Sequence, residues 1–116
     1  MVNLDQILDY TADALTPVKT TFTPSVGSNV EGWGGCWYKV YGRLVQVHIG
    51  VSGIVGNWTG NTIYTMPEGL RPSENIDARG SGQTANSMSQ GSIGDTGVIR
   101  VYSSNTYANV VINYFI

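Results

Sequence analysis

From Leu44 to Val51 the chain alternates strictly, with Val45, Val47, Ile49 and Val51 on one side and Leu44, Gln46, His48 and Gly50 on the other. A period of two is the signature of a strand with one dry face, because successive side chains leave a pleated backbone in opposite directions. Upstream, Cys36 to Tyr41 alternates in the same way, and Gly42-Arg43 supplies a two-residue hairpin turn between the two runs. A chain built on such a hairpin must find further strands to cover its apolar face. Composition supplies them: charged residues make up only 12%, and the polarity comes from Ser, Thr, Asn and Gln with 15 glycines. Many short strands joined by tight turns follow from that mixture.

The remaining strands are read from the same patterns. Val18 to Thr23 is a first strand, and the glycine-rich Glu31-Gly-Trp-Gly-Gly35 is a bulged or tight turn. Ile54 to Asn61 is a loop with hydrophobic content, Thr62 to Met66 a strand, and Glu74 to Arg79 a further one. Gly80 to Gly94 is so polar that it reads as a long exposed hairpin or loop. Asp95-Thr-Gly97 and Ser103-Ser-Asn105 are turns on either side of a strand from Val98 to Tyr102. Tyr107 to Ile116 closes the chain with Val110, Ile112, Tyr114 and Ile116 on one side and Val111, Asn113 and Phe115 on the other. Apolar groups on both faces place that last strand in a buried or interfacial position. The expected fold is all-β: about eight strands in an antiparallel, jelly-roll-like β-sandwich spanning residues 18–116.

Residues 1–17 differ. Leu4, Ile7, Leu8, Thr11 and Leu15 recur at helical spacing, Asn3 and Gln6 approximate a capping box, and Pro17 ends the pattern. A helix of about 12 residues is marginal alone in water, so its stripe needs the domain body or copies of itself. Asp5, Asp9 and Asp13 form a solvated column on another side.

Several chemistries lack their residues. Nucleophilic hydrolysis needs a base beside the nucleophile, yet the one histidine, His48, sits mid-strand where it reads as a surface or interface group. Glu74 and Asp77, three apart, are the acids outside the helix whose spacing allows them to meet, a pairing that acidic loops offer incidentally. No catalytic residue, metal site or cofactor signature is identified. A net charge of −2, with six scattered Lys and Arg, argues against nucleic acid. No apolar run is long enough to insert in a membrane. Cys36 has no partner for an internal disulfide, and the polar N-terminus does not read as a signal peptide, so synthesis in a reducing cytoplasm is expected.

Binding has more candidates. Asn57-Trp58-Thr59-Gly60-Asn61 sets an indole on a loop between two amides. Aromatic surface beside planar amides is what sugar rings and their hydroxyls engage, although a loop tryptophan also serves as a lid on a core. Arg100 and Tyr102 share a strand face near Asp95, a second polar-aromatic patch. The candidate glycan-binding residues are therefore Asn57, Trp58, Asn61, Asp95, Arg100 and Tyr102. Trp33, between glycines, is expected to pack on bare backbone, and Trp37 to face solvent or a neighbouring subunit.

One further stretch carries a resemblance. Lys39-x-x-Gly42-x-x-Val45-x-Val47 is followed by Met66-Pro67-Glu68-Gly69-Leu70-Arg71-Pro72, a strand end turned into a proline-bracketed corner. Together they resemble the C-terminal head domains of bacteriophage tail fibres and baseplate receptor-binding proteins. There a Lys-x-x-Gly-x-x-Val-x-Val unit precedes a Leu-Pro-x-Gly-Tyr-Arg-Pro corner; Met66 and Leu70 stand here where Leu and Tyr are more usual. The resemblance covers roughly residues 36 to 116 and its motifs are structural. It implies a homotrimeric head at the tip of a phage tail, made in the bacterial cytoplasm, carried on the virion beside other tail or baseplate proteins, and attaching to host cell-surface saccharides without covalent chemistry. No binding residue transfers from it. The rival readings are a structural knob that only registers a trimeric fibre, and a carbohydrate-binding module of an enzyme.

Overall fold

A computed structural model describes residues 17–82 and 87–116. Nine strands run in chain order: β1 (Val18–Thr21), β2 (Ser28–Asn29), β3 (Trp37–Tyr41), β4 (Leu44–Ser52), β5 (Asn61–Thr65), β6 (Ile76–Ser81), β7 (Met88–Ile93), β8 (Val98–Ser103) and β9 (Tyr107–Phe115). They join into one antiparallel sheet in the order β1-β3-β4-β9-β6-β7-β8-β5, with β2 lying beside β4. The all-β antiparallel expectation holds. The helix expected over residues 3–15 lies outside the described residues. Within them the helical element is one 3-10 turn, Glu31–Trp33, and no helix is long and apolar enough to cross a membrane.

The Leu44–Val51 alternation is realised in full: Val45, Val47, Ile49 and Val51 have no exposed surface. Gly42 opens the β3–β4 turn at φ 60°, the left-handed geometry that a two-residue hairpin needs at its first central position. β9 pairs with β4 along its whole length, from Leu44 opposite Phe115 to Ser52 opposite Tyr107. The inner face of β9 (Ala108, Val110, Ile112, Tyr114) therefore continues the dry face of β4.

The sheet then curls over on itself. β6 meets β9 at the single register pair Ser81 and Asn109, and β7 crosses above β9 so closely that a methyl at Gly91 would come 2.9 Å from both Val110 and Ile112. Met88–Ile93 is thus a central strand with Ser89, Gly91 and Ile93 buried. Of the two forms expected for Gly80 to Gly94, an exposed hairpin or a loop, the antiparallel β6–β7 pair is the hairpin, and it is the expected exposure that is corrected here. The close crossing leaves no room for large inward side chains at Ser89 and Gly91, so the strand lacks the apolar alternation of β4. Ser89 resolves its own burial by donating from Oγ to the Ser81 carbonyl at 2.8 Å.

At the far end, Phe22 stacks on Tyr64 of β5 with ring centroids 4.3 Å apart and also faces Tyr38 of β3 at 6.5 Å. The Ser25 N–H donates to the Ile63 carbonyl at 2.7 Å, where the β5–β8 register shifts between Thr62 and Tyr64. The bulge leaves Ile63 out of the ladder, so its carbonyl is available to the segment after β1. The half-barrel is drawn together by this contact.

Candidate functional site

The outward faces of β6, β7, β8 and β5 are polar, and strand register lines their side chains into rows. Asp77 lies opposite Ser92, Ser92 opposite Arg100, and Arg100 opposite Thr62. In the next row Arg79 lies opposite Gln90 and Gln90 opposite Tyr102. Where these rows meet the Gly94–Gly97 turn, a shallow groove of about 300 Å³ opens, lined by Asp77, Ser92, Asp95, Arg100 and Tyr102, with Asn75 at its edge. The turn is closed by the Gly97 N–H donating to the Gly94 carbonyl at 2.9 Å, and Gly97 at φ 81° takes a conformation most residues avoid. That turn presents Asp95.

The groove holds complementary groups at close quarters. Two carboxylates accept hydrogen bonds, one guanidinium donates in a planar fork, a hydroxyl and an amide do either, and Tyr102 adds a flat apolar face. Among the described residues no ion pair or side-chain hydrogen bond engages Asp77, Asp95 or Arg100. Their capacity remains open to a ligand rich in hydroxyls.

Three of the residues expected from sequence, Asp95, Arg100 and Tyr102, come together here. Trp58 and Asn57 belong to the loop that borders Tyr102 without lining the groove: a methyl at Gly60 would lie 3.2 Å from the Tyr102 ring, so the ring rests on the loop backbone. Asn57 and Trp58 occupy both central positions of a turn closed by the Thr59 N–H to the Gly56 carbonyl, with φ of 58° and 57°. A left-handed conformation is costly for a residue as bulky as tryptophan, of order 1–3 kcal/mol. The strain persists because the Trp58 N–H is tied to the Ser103 carbonyl at 2.9 Å. The outcome is a tryptophan 43% exposed at a loop tip.

Asn61 plays a different part. It is buried, its Oδ1 accepts from the Val55 N–H, and its Nδ2 serves the carbonyls of Val55, Thr59 and Val101 at 2.9, 3.0 and 3.2 Å. Two hydrogens shared over three acceptors leave nothing for a ligand. Asn61 fixes the loop that carries Trp58.

Sequence reasoning passed over Asp77, Ser92 and Asn75. Asp77 was weighed only with Glu74, and the two diverge: Glu74 lines a separate cleft with Arg43 and Phe115. The Asp77–Ser92–Arg100 row exists only once three strands pair, so no local signal in any one of them announces it. His48 stacks on Trp37 at 5.0 Å and 8°, with Nδ1 2.8 Å from the Gly35 carbonyl. Trp33 sits edge-on to Tyr107 at 5.6 Å with its Cβ against the Gly50 backbone, as expected. Among the described residues, no group of three or more His, Cys, Asp or Glu is placed to hold a metal ion.

No protein-family model matches the chain, and no curated protein matches it either.

Proposed function

We propose that this chain is the receptor-binding head of a bacteriophage tail fibre or baseplate, a jelly-roll-like antiparallel sandwich that attaches as a homotrimer to glycans on the host surface. The observation that carries the reading is the groove lined by Asp77, Asp95, Arg100 and Tyr102, with the exposed Trp58 on the loop against which Tyr102 rests. Carboxylates and a guanidinium bind vicinal hydroxyls in pairs, while the aromatic faces cover the apolar side of a sugar ring. The groove is shallow and each site is weak. Three copies per head, and several heads per virion, raise the effective affinity without any new contact. The Lys39–Val47 unit and the Met66–Pro72 corner supply the link to phage heads. On the virion the head would sit at the tail tip with other tail or baseplate proteins.

A second reading, a structural knob without direct receptor contact, draws on a different surface. On the outer face of β9, Phe115 is 72% and Val111 38% exposed, next to half-buried Leu44. Apolar surface of that kind calls for a cover, and a neighbouring copy supplies one. Both readings expect a trimer, and glycan binding separates them. In an array experiment the wild-type head should be retained by a subset of host-type glycans, and Arg100→Ala and Tyr102→Ala should each lose that retention while keeping the trimer mass in native mass spectrometry. If wild type and variants bind alike, or none binds, the attachment reading fails and the knob remains. A stable monomer of 12.5 kDa would remove both.

A further inference from the structure

The opposite half of the sheet carries an arrangement that folding alone does not favour. β1 and β3 place Lys19 directly across from Lys39, and both ammonium groups reach the same indole, 5.4 and 4.8 Å from the centroid of Trp37. Like charges facing each other across a ladder raise the free energy of the folded state. One aromatic face attracts each cation modestly at an exposed site and does not neutralise either. Among the described residues neither lysine is paired with a carboxylate. The indole is itself held in place, since His48 lies flat against it and is pinned through Nδ1 to the Gly35 carbonyl.

Beside this cluster runs a groove of about 370 Å³, lined by Lys19, Thr21, Asn29, Glu31 and Trp37. Its lining is mixed in chemistry: the ammonium of Lys19, the indole of Trp37 with the hydroxyl residue Thr21 directly across the ladder, and the amide and carboxylate of Asn29 and Glu31. A neutral sugar would leave the lysine pair unrelieved. A bare inorganic anion would use the lysines but leave Trp37 and Asn29 idle, and it would meet the Glu31 carboxylate. A sugar bearing one acidic group engages all of these: its anionic oxygens at the ammonium groups above the indole, its ring beside Trp37, its hydroxyls donating to Glu31.

From this we infer a second binding site, built on Lys19, Lys39 and Trp37, for a saccharide carrying a phosphate ester or a carboxylate. It lies on a different face from the Tyr102 groove and does not rest on the function proposed for that groove.

The test follows the Trp37 indole N–H resonance in tryptophan-labelled protein, assigned with a Trp37→Phe variant. Glucose 6-phosphate or glucuronate is expected to shift it in a saturable, salt-sensitive manner, with inorganic phosphate at least about tenfold weaker and neutral glucose without effect. The double variant Lys19→Gln/Lys39→Gln should weaken the acidic sugar at least about tenfold. It should also melt no lower than wild type, since it relieves a repulsion, and this confirms that it folds. Absence of a shift with both acidic sugars, an equal shift with glucose or with phosphate, or undiminished binding by the folded double variant would each overturn the assignment.

Discussion

The side-chain amide of Asn61 pairs with both main-chain polar groups of Val55, receiving the Val55 N–H on Oδ1 and donating from Nδ2 to the Val55 carbonyl, each at 2.9 Å. The pairing imitates one rung of a ladder with a side chain in place of a strand. Asn61→Ala strands several buried backbone groups at once, and a loss of about 2–4 kcal/mol is expected in urea denaturation at pH 7. Asn61→Asp keeps the acceptor but turns a carboxylate toward three carbonyls. Its folded form resists ionisation, so this variant should lose stability as pH rises above about 4, the ordinary carboxylate value. A pH-independent stability for Asn61→Asp would contradict the bonding described.

Trp58 is held in a left-handed conformation that glycine adopts freely. Trp58→Gly relieves that strain at the expense of a half-exposed indole's packing. Stability is expected to hold or to rise by up to ~1 kcal/mol, while glycan retention falls. A melting temperature several degrees below wild type would mean that the indole is chiefly a core element.

Two glycines mark where the sheet folds over, and they should differ in tolerance. At Gly80 a methyl would sit 2.1 Å from the Asn109 carbonyl, a backbone atom that cannot step aside. At Gly91 the nearest atoms are the ends of Ile112 and Val110 side chains, which can rotate. Gly91→Ala should cost about 1–3 kcal/mol and leave a cooperative transition. Gly80→Ala should abolish the β6–β9 junction, read as loss of amide-exchange protection across β6.

Alkaline pH should unfold the protein through two groups. Burial, and secondarily the neighbouring Tyr38, push the Tyr114 phenol above its ordinary value; burial chiefly raises the Cys36 thiol, which donates to the Gly50 carbonyl. Both groups are neutral when protonated, and the unfolded chain releases their protons first. The stability is complete below about 8.5, is lost gradually above it as the unfolded thiol ionises, and falls further above about 10 through the phenol. Tyr114 also donates its hydroxyl to the Leu70 carbonyl at the proline corner. Tyr114→Phe should therefore be about 1–2 kcal/mol less stable at pH 7 yet flatter between pH 10 and 11.5 in denaturant titrations. Equal slopes for the two proteins would refute the role given to the phenol.

Much of this architecture was legible because it is written in period-two alternation. Val45 to Val51 and Val110 to Tyr114 are apolar at every inward position, and Gly42-Arg43 stands where β3 must turn into β4. β7 escaped the same reasoning because its inward positions, Ser89 and Gly91, are small for a tertiary reason: β9 passes directly beneath. The site divided along similar lines. Asp95, Arg100 and Tyr102 lie close in sequence and were found together, whereas Asp77 reaches them only through register across two more strands. Asn61 looked like Asn57 in sequence, two amides flanking one indole. Burial alone distinguishes the amide that braces the loop from the one that faces outward.

The bulge at Ile63 has a mechanical corollary. Its freed carbonyl holds Ser25, and Phe22 lies across Tyr64, so the segment that follows β1 is tethered to β5 at the other end of the strand order. Exposed strand margins are where β proteins recruit unwanted neighbours. Removing the ring contact, as with Phe22→Ser, would weaken this tether and free both borders to meet other chains, and crowded expression in a cell is where that difference would first be felt.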